Sequence, residues 1–505
     1  MTYIQPLLEP LFIIFIITSG AVLLRRLGYS LSFWLLPLGL LCGMCQFVVI
    51  NYSQVLLPVT SSPLVTMSVM LSILLVCVIY LYRNSLLPTG KQIYYIQLSL
   101  ALVAVSILVI TELNLVKFHY DSYLYLLTGR YIANNDIGNI ISLYAQKRFG
   151  SAAIIHSSAE SFDRLYLRSI TPLLSLTTLS LFPYFLYHGF KEKITAHKAR
   201  LIIGLVSSLG VVLLVTNHSY LFHSFYINGH MIFASLMLVF IGAGWLIASE
   251  ADIGDNGKAL IILQALAVIV MIATRPEGAL VVGVAMLPQV LSKHLTDVHK
   301  RLILYSFGVG VLLTQAFLVK ISVAQNSFDP ASLLEPQRLG FIILGLGSIF
   351  SAKLLFSKFA MKNSERLLWL TEFGLWALLG LYYLRGGKAT IAIRKALNAF
   401  YENFVLGKGD WDALIVGLTL LTLAALVVKS ISQRQILRFP VTAFIPLSLI
   451  IGVLRGGGYR VGNGDSFNRA ILHLVPAATL FILVALLSSY LKSQEKIKPP
   501  AKKVN

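Results

Sequence analysis

The stretch MIFASLMLVFIGAGWLIAS, residues 231–249, decides the fold class, because it carries no charged side chain over 19 consecutive positions. A helix of about 20 apolar residues is long enough to cross the hydrocarbon core of a bilayer. Comparable runs recur along a chain of 505 residues that is 57% hydrophobic and only 12% charged. Soluble proteins carry about 25% charged residues. The sequence therefore predicts an all-α protein, built as a polytopic bundle of transmembrane helices.

Apolar runs predict about 13–15 spans in all. The fifteen candidates cover residues 8–24, 31–50, 64–82, 93–112, 169–188, 200–216, 231–249, 259–274, 278–292, 302–323, 339–357, 367–385, 411–429, 440–455 and 470–491. Successive connections between spans must lie on alternate sides of the membrane. The charges of the connections can therefore be used to orient the chain.

One set of alternate connections is short and basic, and only SEADIGDNGK (249–258) breaks the pattern. Its members are RRLGYS (25–30), RNSLLPTGK (83–91), KEKITAHKAR (191–200), SKHLTDVHKR (292–301), SKFAMKNSER (357–366), KSISQRQILR (429–438) and the tail from residue 492. Lys and Arg are enriched on the cytoplasmic side of membrane proteins. We therefore expect a multi-pass protein of the cytoplasmic membrane, in which the net charge of +20 reflects these connections and implies no nucleic-acid partner.

The opposite connections are predicted to face the periplasm or the exterior. They cover residues 113–168, 217–230, 274–279, 324–338, 386–410 and 455–469. The unusual polar residues of the chain are concentrated in this second set, although the orientation was derived from the charges of the first set. This separation predicts an outward-facing active site.

The longest outer connection, residues 113–168, contains the segment KFHYDSYLYLLTGRYI (117–132). Its length predicts structure of its own rather than a simple connector. Residues 121–133 are predicted to be helical, with Asp121, Tyr125 and Thr128 on one face. An acid at a helix start is typical of capping, but a carboxylate near the membrane surface can also accept a proton from a hydroxyl group. The sequence leaves both interpretations of Asp121 open.

Two of the other outer segments combine arginines with residues that interrupt a helix. In TRPEGA (274–279), Pro276 and Gly278 interrupt the helical pattern next to Arg275. This arginine needs an anionic partner, which is either Glu277 or a bound phosphate. The last outer segment, RGGGYRVGNGDSFNR (455–469), combines arginines with glycines, a composition that can surround a phosphate.

Arg469 opens the final span, and His473 lies one helical turn deeper. Charged groups within spans rarely face lipid, so both are predicted to point into a cavity. By contrast, His218, His223 and His230 are not spaced to share one helical face, and they are predicted to be interfacial residues rather than metal ligands. No ligand cluster demands a metal, although a divalent cation could assist.

In this order and on one predicted side, the motifs resemble those of the GT-C superfamily of membrane glycosyltransferases, especially its arabinofuranosyl- and mannosyltransferase-like branch. HYDSYLYLLTGRYI (119–132) is similar to the segment around that family's first external acid, RPEG (275–278) to a turn of bacterial members, and GNGDSFNRAILHLVPAATL (462–480) to a late Gly-Asp…Arg…Pro segment. The resemblance implies N-terminal transmembrane helices in residues 1–92 before a GT-C-like core in 93–491, and the charge pattern predicts a basic cytoplasmic tail in 492–505.

The resemblance also implies an enzyme that transfers a sugar from a polyprenyl-phosphate carrier to a glycan, lipid or protein acceptor, with inversion at the anomeric carbon. Asp121 would be the general base. Arg275 and Arg469 would contact the donor phosphate, with Arg460 and His473 as neighbours. No other cofactor is implied.

This chain departs from the family in two respects. Many members carry two adjacent acids where this chain has Tyr-Asp-Ser, so a second carboxylate must come from elsewhere. The candidates are Asp136, Glu160, Asp163 and Asp465. The family's acid also usually follows the first span, whereas Asp121 follows the fourth.

Two other functional classes remain open. Charged groups in a membrane protein also mark transport routes, so a flippase or transporter of a charged lipid or polysaccharide is one alternative. Midplane charges and inverted repeats with broken helices would favour that class. The second alternative is a ligase or polymerase of the O-antigen type, which also transfers lipid-linked glycans.

Overall fold

A computed structural model of the protein describes residues 5–57, 62–141, 150–192, 196–249, 256–351, 358–454 and 466–497. In these ranges the regular structure is helical, and the one bridge of β type joins Lys117 to Tyr226. The α-helices are α1 (Gln5–Arg26), α2 (Leu35–Leu56), α3 (Pro63–Arg83), α4 (Gly90–Leu113), α5 (Tyr120–Ala133), α6 (Ser151–Ser157), α7 (Ile170–Phe190), α8 (Ala196–Val215), α9 (His218–Phe225), α10 (His230–Ala248), α11 (Asn256–Ile272), α12 (Gly278–Val290), α13 (Asp297–Ala324), α14 (Pro336–Phe350), α15 (Lys358–Lys362), α16 (Ser364–Leu384), α17 (Gly387–Phe400), α18 (Asp412–Ala425), α19 (Arg434–Leu454), α20 (Ser466–Ile471) and α21 (Val475–Ile497). The predicted all-α class is confirmed.

Each predicted apolar run coincides with a helix, but the described residues contain only ten helices long and apolar enough to cross a membrane, or eleven if one bent pair is counted. That pair, Arg200–Val215 with His218–Phe225, bends by 79°. The predicted count of 13–15 spans is therefore too high for this part of the chain. The protein is a multi-pass membrane protein by the length and composition of these helices.

The remaining predicted spans form apolar helices of 10–17 residues. They are Asn256–Ile272, Gly278–Val290, Arg338–Phe350 and Asp412–Ala425. At about 1.5 Å per residue, a 17-residue helix extends about 26 Å, which is shorter than a hydrocarbon core of about 30 Å. Hydropathy identifies these segments as apolar. It does not predict where each helix ends, because that depends on where the backbone turns.

The chain divides into two compact units, and the first comprises Met1–Thr177, Phe222–Phe240 and Gly254–Lys362. In this unit α1 and α2 pack with their backbones in contact. A Cβ atom on Gly20 would lie 2.1 Å from the Gly39 carbonyl oxygen, and one on Gly43 would lie 2.0 Å from that of Ile16. Small residues at such a crossing let two transmembrane helices approach closely.

The described parts of the longest connection, residues 113–141 and 150–168, contain short helices and belong to the first unit. Helices α5 and α6 pack so tightly that a Cβ atom on Gly129 would lie 2.5 Å from the Ala153 carbonyl oxygen. The end of the connection is fastened to α1 by Glu9, which is fully buried. Its carboxylate accepts hydrogen bonds from the Ser169 hydroxyl at 2.7 Å and from Arg164 Nη1 at 3.0 Å.

The second unit comprises Thr178–Leu221, Ile241–Ile253 and Asn363–Asn505. Within it, α16 and α19 are joined by a buried ion pair in which Arg438 Nη1 lies 2.8 Å from Glu372 Oε1 and 2.9 Å from Oε2. Arg438 Nε also donates to Gln435 Oε1 at 2.7 Å, and the guanidinium carbon lies 4.5 Å from the centroid of the Trp369 ring. The polar groups of this pair are therefore held by side chains of the two packed helices.

Candidate functional site

The amino-terminal end of α5 positions Asp121. His119 occupies the N-cap position, and its backbone N–H donates to Ser122 Oγ at 3.2 Å. Because His119 holds the N-cap position, Asp121 is not the N-cap residue, although its place in the first turn remains favourable for an acid. The Asp121 side chain is 9% exposed. Helix capping alone therefore does not account for an acid at this position.

Residues 225–230 pack against this end of α5. The Lys117 backbone N–H donates to the Phe225 carbonyl at 2.8 Å, and the Ser122 hydroxyl donates to the Ile227 carbonyl at 3.0 Å. A Cβ atom on Gly229 would lie 3.7 Å from the Tyr125 hydroxyl oxygen. Segment 225–230 is thus fixed to the same helix that carries Asp121.

The other side of this segment contacts the turn that contains Arg275. The same Cβ atom on Gly229 would lie 2.5 Å from Thr274 Cγ2, so a larger side chain does not fit there. Arg275, which is 8% exposed, places Nη1 against both ring nitrogens of His230, at 3.3 Å from Nδ1. A guanidinium group has no acceptor, so the ring nitrogen that accepts from it must be unprotonated.

Arg275 also meets Glu277 across Pro276, with Nε 2.8 Å from Oε1. The approach is that of a close ion pair rather than of an aligned hydrogen bond, since Nε makes no hydrogen bond of regular geometry. Of the two partners that the sequence left open for Arg275, the carboxylate is therefore present. A phosphate at this point would compete with Glu277 for the guanidinium group.

Further polar side chains surround His230. Its backbone N–H donates to Asn228 Oδ1 at 2.8 Å, and Asn228 Nδ2 lies 3.3 Å from His223 Nδ1. The His223 and His230 ring centroids are 5.7 Å apart. We refer to Arg275, Glu277, His223, Asn228 and His230 as the Arg275 cluster. It brings donors and acceptors together beside the helix that carries Asp121.

The remaining predicted donor-binding residues belong to the second unit or lie outside the described ranges. Arg469 belongs to the short helix α20, and the buried His473 follows it, with its N–H bonded to the Ala470 carbonyl at 3.1 Å. Both belong to the second unit. Arg460 lies outside the described residues. The convergence of Arg469 and His473 with Asp121 stays a prediction.

The candidate second acids have different surroundings. Glu160 Oε1 lies 3.6 Å from Arg130 Nε. Asp136 accepts a hydrogen bond from Asn139 at 2.8 Å in an exposed turn. Asp163 is exposed in the left-handed backbone region, with φ of 57°. Asp465 lies outside the described residues. Among the three described acids, Glu160 is the one that lines a pocket beside α5.

This pocket has a volume of about 340 Å³ and lies on the face of α5 that includes Tyr123 and Arg130. That face is opposite to the buried one, because Asp121 and Tyr125 are one turn apart on the other side of the helix. The rings of Phe118, Tyr123 and Tyr166 line the pocket together with Arg130, His156 and Glu160. Aromatic faces combined with a few polar groups are typical of small-ligand sites.

His156 is the most deeply buried polar group in the wall of this pocket, at 2% exposed. Its Nδ1 accepts a hydrogen bond from the Leu167 backbone N–H at 3.3 Å. Burial lowers the pKa of His156 from 6.5 to about 4. The imidazole is therefore neutral at pH 7, with its proton on Nε2, where it can donate.

Sequence reasoning missed His223 and His230 as site residues, and it missed Glu9 and the Arg438–Glu372 pair altogether. The histidines were interpreted as interfacial because they do not share a helical face, but α9 ends at Phe225 and the chain turns before α10 begins at His230. The available signal was Arg275 itself, since an outer arginine requires polar partners from another segment.

Among the residues that the structure describes, no three His, Cys, Asp or Glu side chains are grouped so that they could hold a metal ion. Assistance by a divalent cation stays a prediction. Comparisons of the chain with known protein families, with curated proteins and with solved structures give no match. The geometry of the Arg275 cluster and the sequence motifs are therefore the features that point to a function.

Proposed function

We propose that the protein is a membrane glycosyltransferase of the GT-C type, which transfers a sugar from a polyprenyl-phosphate carrier to a hydroxyl-bearing acceptor at the outer face of the cytoplasmic membrane. The observation that carries this proposal is the packing of segment 225–230 between the helix of Asp121 and the turn of Arg275. A carboxylate and a guanidinium group from distant parts of the sequence thereby belong to one structural neighbourhood.

In the proposed reaction, the Asp121 carboxylate accepts the proton of the acceptor hydroxyl, whose oxygen forms a bond to the anomeric carbon. The bond from that carbon to the phosphate oxygen breaks, and polyprenyl phosphate leaves with the electron pair. A positioned general base typically contributes about 10²–10⁴-fold to such a rate. Arg275, with Arg469 as a second candidate, would stabilise the negative charge on the departing phosphate.

A sugar unit of the acceptor away from the reacting hydroxyl would bind in the pocket lined by Tyr123, Tyr166 and Glu160, which lies on the face of α5 opposite to Asp121. Aromatic faces suit the apolar faces of a sugar ring, while Arg130, Glu160 and the Nε2–H of His156 suit its hydroxyl groups. We therefore favour a glycan or glycolipid acceptor over a peptide.

The test is transfer from a panel of polyprenyl-phosphate sugars by the purified full-length protein. Asp121→Asn is expected to lower the rate by about 10²–10⁴-fold. The matched control is Asp297→Asn, which alters an exposed acid in the first turn of α13 without affecting the proposed site.

Transfer that Asp121→Asn leaves unchanged would remove Asp121 from the mechanism. Translocation of labelled lipid without transfer of any sugar would identify a flippase instead. Transfer lost equally in Asp121→Asn and Asp297→Asn would indicate a general loss of folding.

A further inference from the structure

An apolar pocket in the first unit lies between α1, α2, α3 and α4, outside the Arg275 cluster. Its volume is about 590 Å³, within the range of about 300–1,000 Å³ that is usual for ligand sites. Its walls are mostly aliphatic and include Ile17, Val22, Leu36, Val78, Leu81 and Leu100. A chain of methylene groups is the natural occupant of such a pocket in a membrane protein.

One cation, Arg25, lies in the wall of this pocket. It lies in the last turn of α1, and its guanidinium group donates from Nη1 to the Tyr29 carbonyl at 3.0 Å and from Nη2 to the Leu86 carbonyl at 3.3 Å. Its Nε is buried and makes no hydrogen bond with any described residue. A buried N–H without a partner is unfavourable, and a bound acceptor would satisfy it.

The charges of this region point to an anionic ligand. Residues 10–111 contain four cationic side chains and no Asp or Glu. The cations are Arg25, Arg26, Arg83 and Lys91, and all four lie in the two connections that are predicted to face the cytoplasm. No carboxylate within residues 10–111 neutralises them, and the cytoplasmic leaflet is the one enriched in anionic lipids.

The pocket also opens towards the surface that lipid would contact. Only 6% of the most apolar window of α4 is buried, so most of this helix is available to acyl chains. Phe33 and Tyr95, which line the pocket, are 67% and 65% exposed. A lipid in the membrane could therefore enter from the side without crossing water.

We infer that this pocket binds an anionic glycerophospholipid, with an acyl chain between α1 and α4 and the phosphate group at Arg25. Basic pockets between transmembrane helices on the cytoplasmic side are suited to anionic head groups. The site is separate from the proposed site of sugar transfer, so a result that contradicts one proposal does not affect the other. The lipid would hold α4, which is otherwise weakly packed, against α1.

Native mass spectrometry of the full-length protein can test this inference, with dioleoyl phosphatidylglycerol and dioleoyl phosphatidylcholine as the two probes. We expect one phosphatidylglycerol to remain bound where phosphatidylcholine does not. Arg25→Gln is expected to weaken phosphatidylglycerol binding by about tenfold or more, because hydrogen bonds to a charged group are lost. The matched control is Arg366→Gln, an exposed arginine on another predicted cytoplasmic connection.

Because Arg25 also bonds to two backbone carbonyls, a second variant is needed in case Arg25→Gln does not fold. Ser99→Trp fills the pocket from α4 and leaves Arg25 in place. It is expected to abolish the bound lipid while the protein remains monodisperse.

Four results would overturn the inference. The first is equal binding of the two lipids, and the second is phosphatidylglycerol binding that neither pocket variant changes. The third is an equal loss in Arg25→Gln and Arg366→Gln, which would indicate diffuse surface attraction. Inorganic phosphate that displaces the lipid fully would show that the acyl chain makes no contribution, and would also contradict the assignment.

Discussion

Two pairs of arginine and glutamate occupy different environments in this protein. Arg438 and Glu372 are 66 positions apart and join two packed helices, with side chains 2% and 9% exposed. Arg275 and Glu277 flank a single proline, and each side chain is 10% exposed. The first pair is held by its surroundings, including Gln435 and the face of Trp369. The second is shared with a histidine from another segment.

The two pairs differ in whether their charged groups can separate without disturbing the fold. Separating Arg438 from Glu372 would leave an uncompensated charge between two helices, which is strongly unfavourable. Arg275 and Glu277 are on one turn, so a rotation of side chains can separate them while the helices stay in place. A buried arginine in this protein is therefore not by itself a sign of a binding site.

The largest expected effect is on the pair between helices. Glu372→Gln should lower the free energy of unfolding by about 3–5 kcal/mol, since it leaves the Arg438 charge buried without its partner. Thermal or chemical unfolding in detergent measures this change. The double variant Glu372→Leu with Arg438→Met removes both charges and should recover much of the loss. A decrease below about 1 kcal/mol in the single variant would contradict the structural role of the pair.

The next effect concerns His156 in connection 113–168. It tests whether this side chain is buried as fully as the Arg438–Glu372 pair. Its folded-state pKa of about 4 lies below the ordinary value of 6.5. The unfolded chain therefore binds a proton that the folded chain does not, and stability is lost as the pH falls from 6.5 to about 4, by about 3 kcal/mol in all.

Unfolding at a series of pH values measures this loss, with His156→Gln as the reference because it does not titrate. Arg130 and Glu160 line the same pocket and are retained in both proteins, so their contributions cancel. Parallel pH profiles of the two proteins would show that His156 is not buried in its neutral form.

A smaller effect on stability is expected at the Arg275 cluster. Arg275→Lys keeps the charge beside Glu277 but loses the planar group that meets His230, so we expect a loss of about 1–2 kcal/mol. Sugar transfer should fall by about tenfold or more, because a point charge cannot replace the fork at a phosphate. Unfolding and transfer are measured on the same preparation. Normal sugar transfer, together with a loss of stability as large as that of Glu372→Gln, would show that Arg275 has a structural role instead.

The smallest effect is expected at Arg130 and Glu160, whose side chains are 58% and 32% exposed at a separation of 3.6 Å. Arg130→Gln should change the free energy of unfolding by less than about 1 kcal/mol, because solvent screens an exposed pair. The same unfolding measurement checks this value. A change comparable with that of Glu372→Gln would show that solvent exposure does not determine how much each ion pair contributes to stability.

How much of the structure could be predicted depends on how far apart in the sequence the interacting residues are. The helix predicted over residues 121–133 is present as Tyr120–Ala133, because its apolar pattern and its start are local features. The prediction that Arg275 needs an anionic partner also held, since Glu277 is only two positions away. The contact of Arg275 with His230 joins residues 45 positions apart, and nothing in the local pattern of either segment indicates it.

The sequence by itself determined the class of the protein, the position of its apolar helices and the side of the membrane predicted for each connection. These properties depend on hydropathy and charge, which are sums over neighbouring residues. Only the tertiary structure decided which polar groups meet: it joined Glu372 to Arg438, fastened Glu9 to Ser169, and set segment 225–230 between α5 and Arg275. These contacts depend on where the backbone bends and how closely helices approach, and both are outcomes of packing rather than of composition.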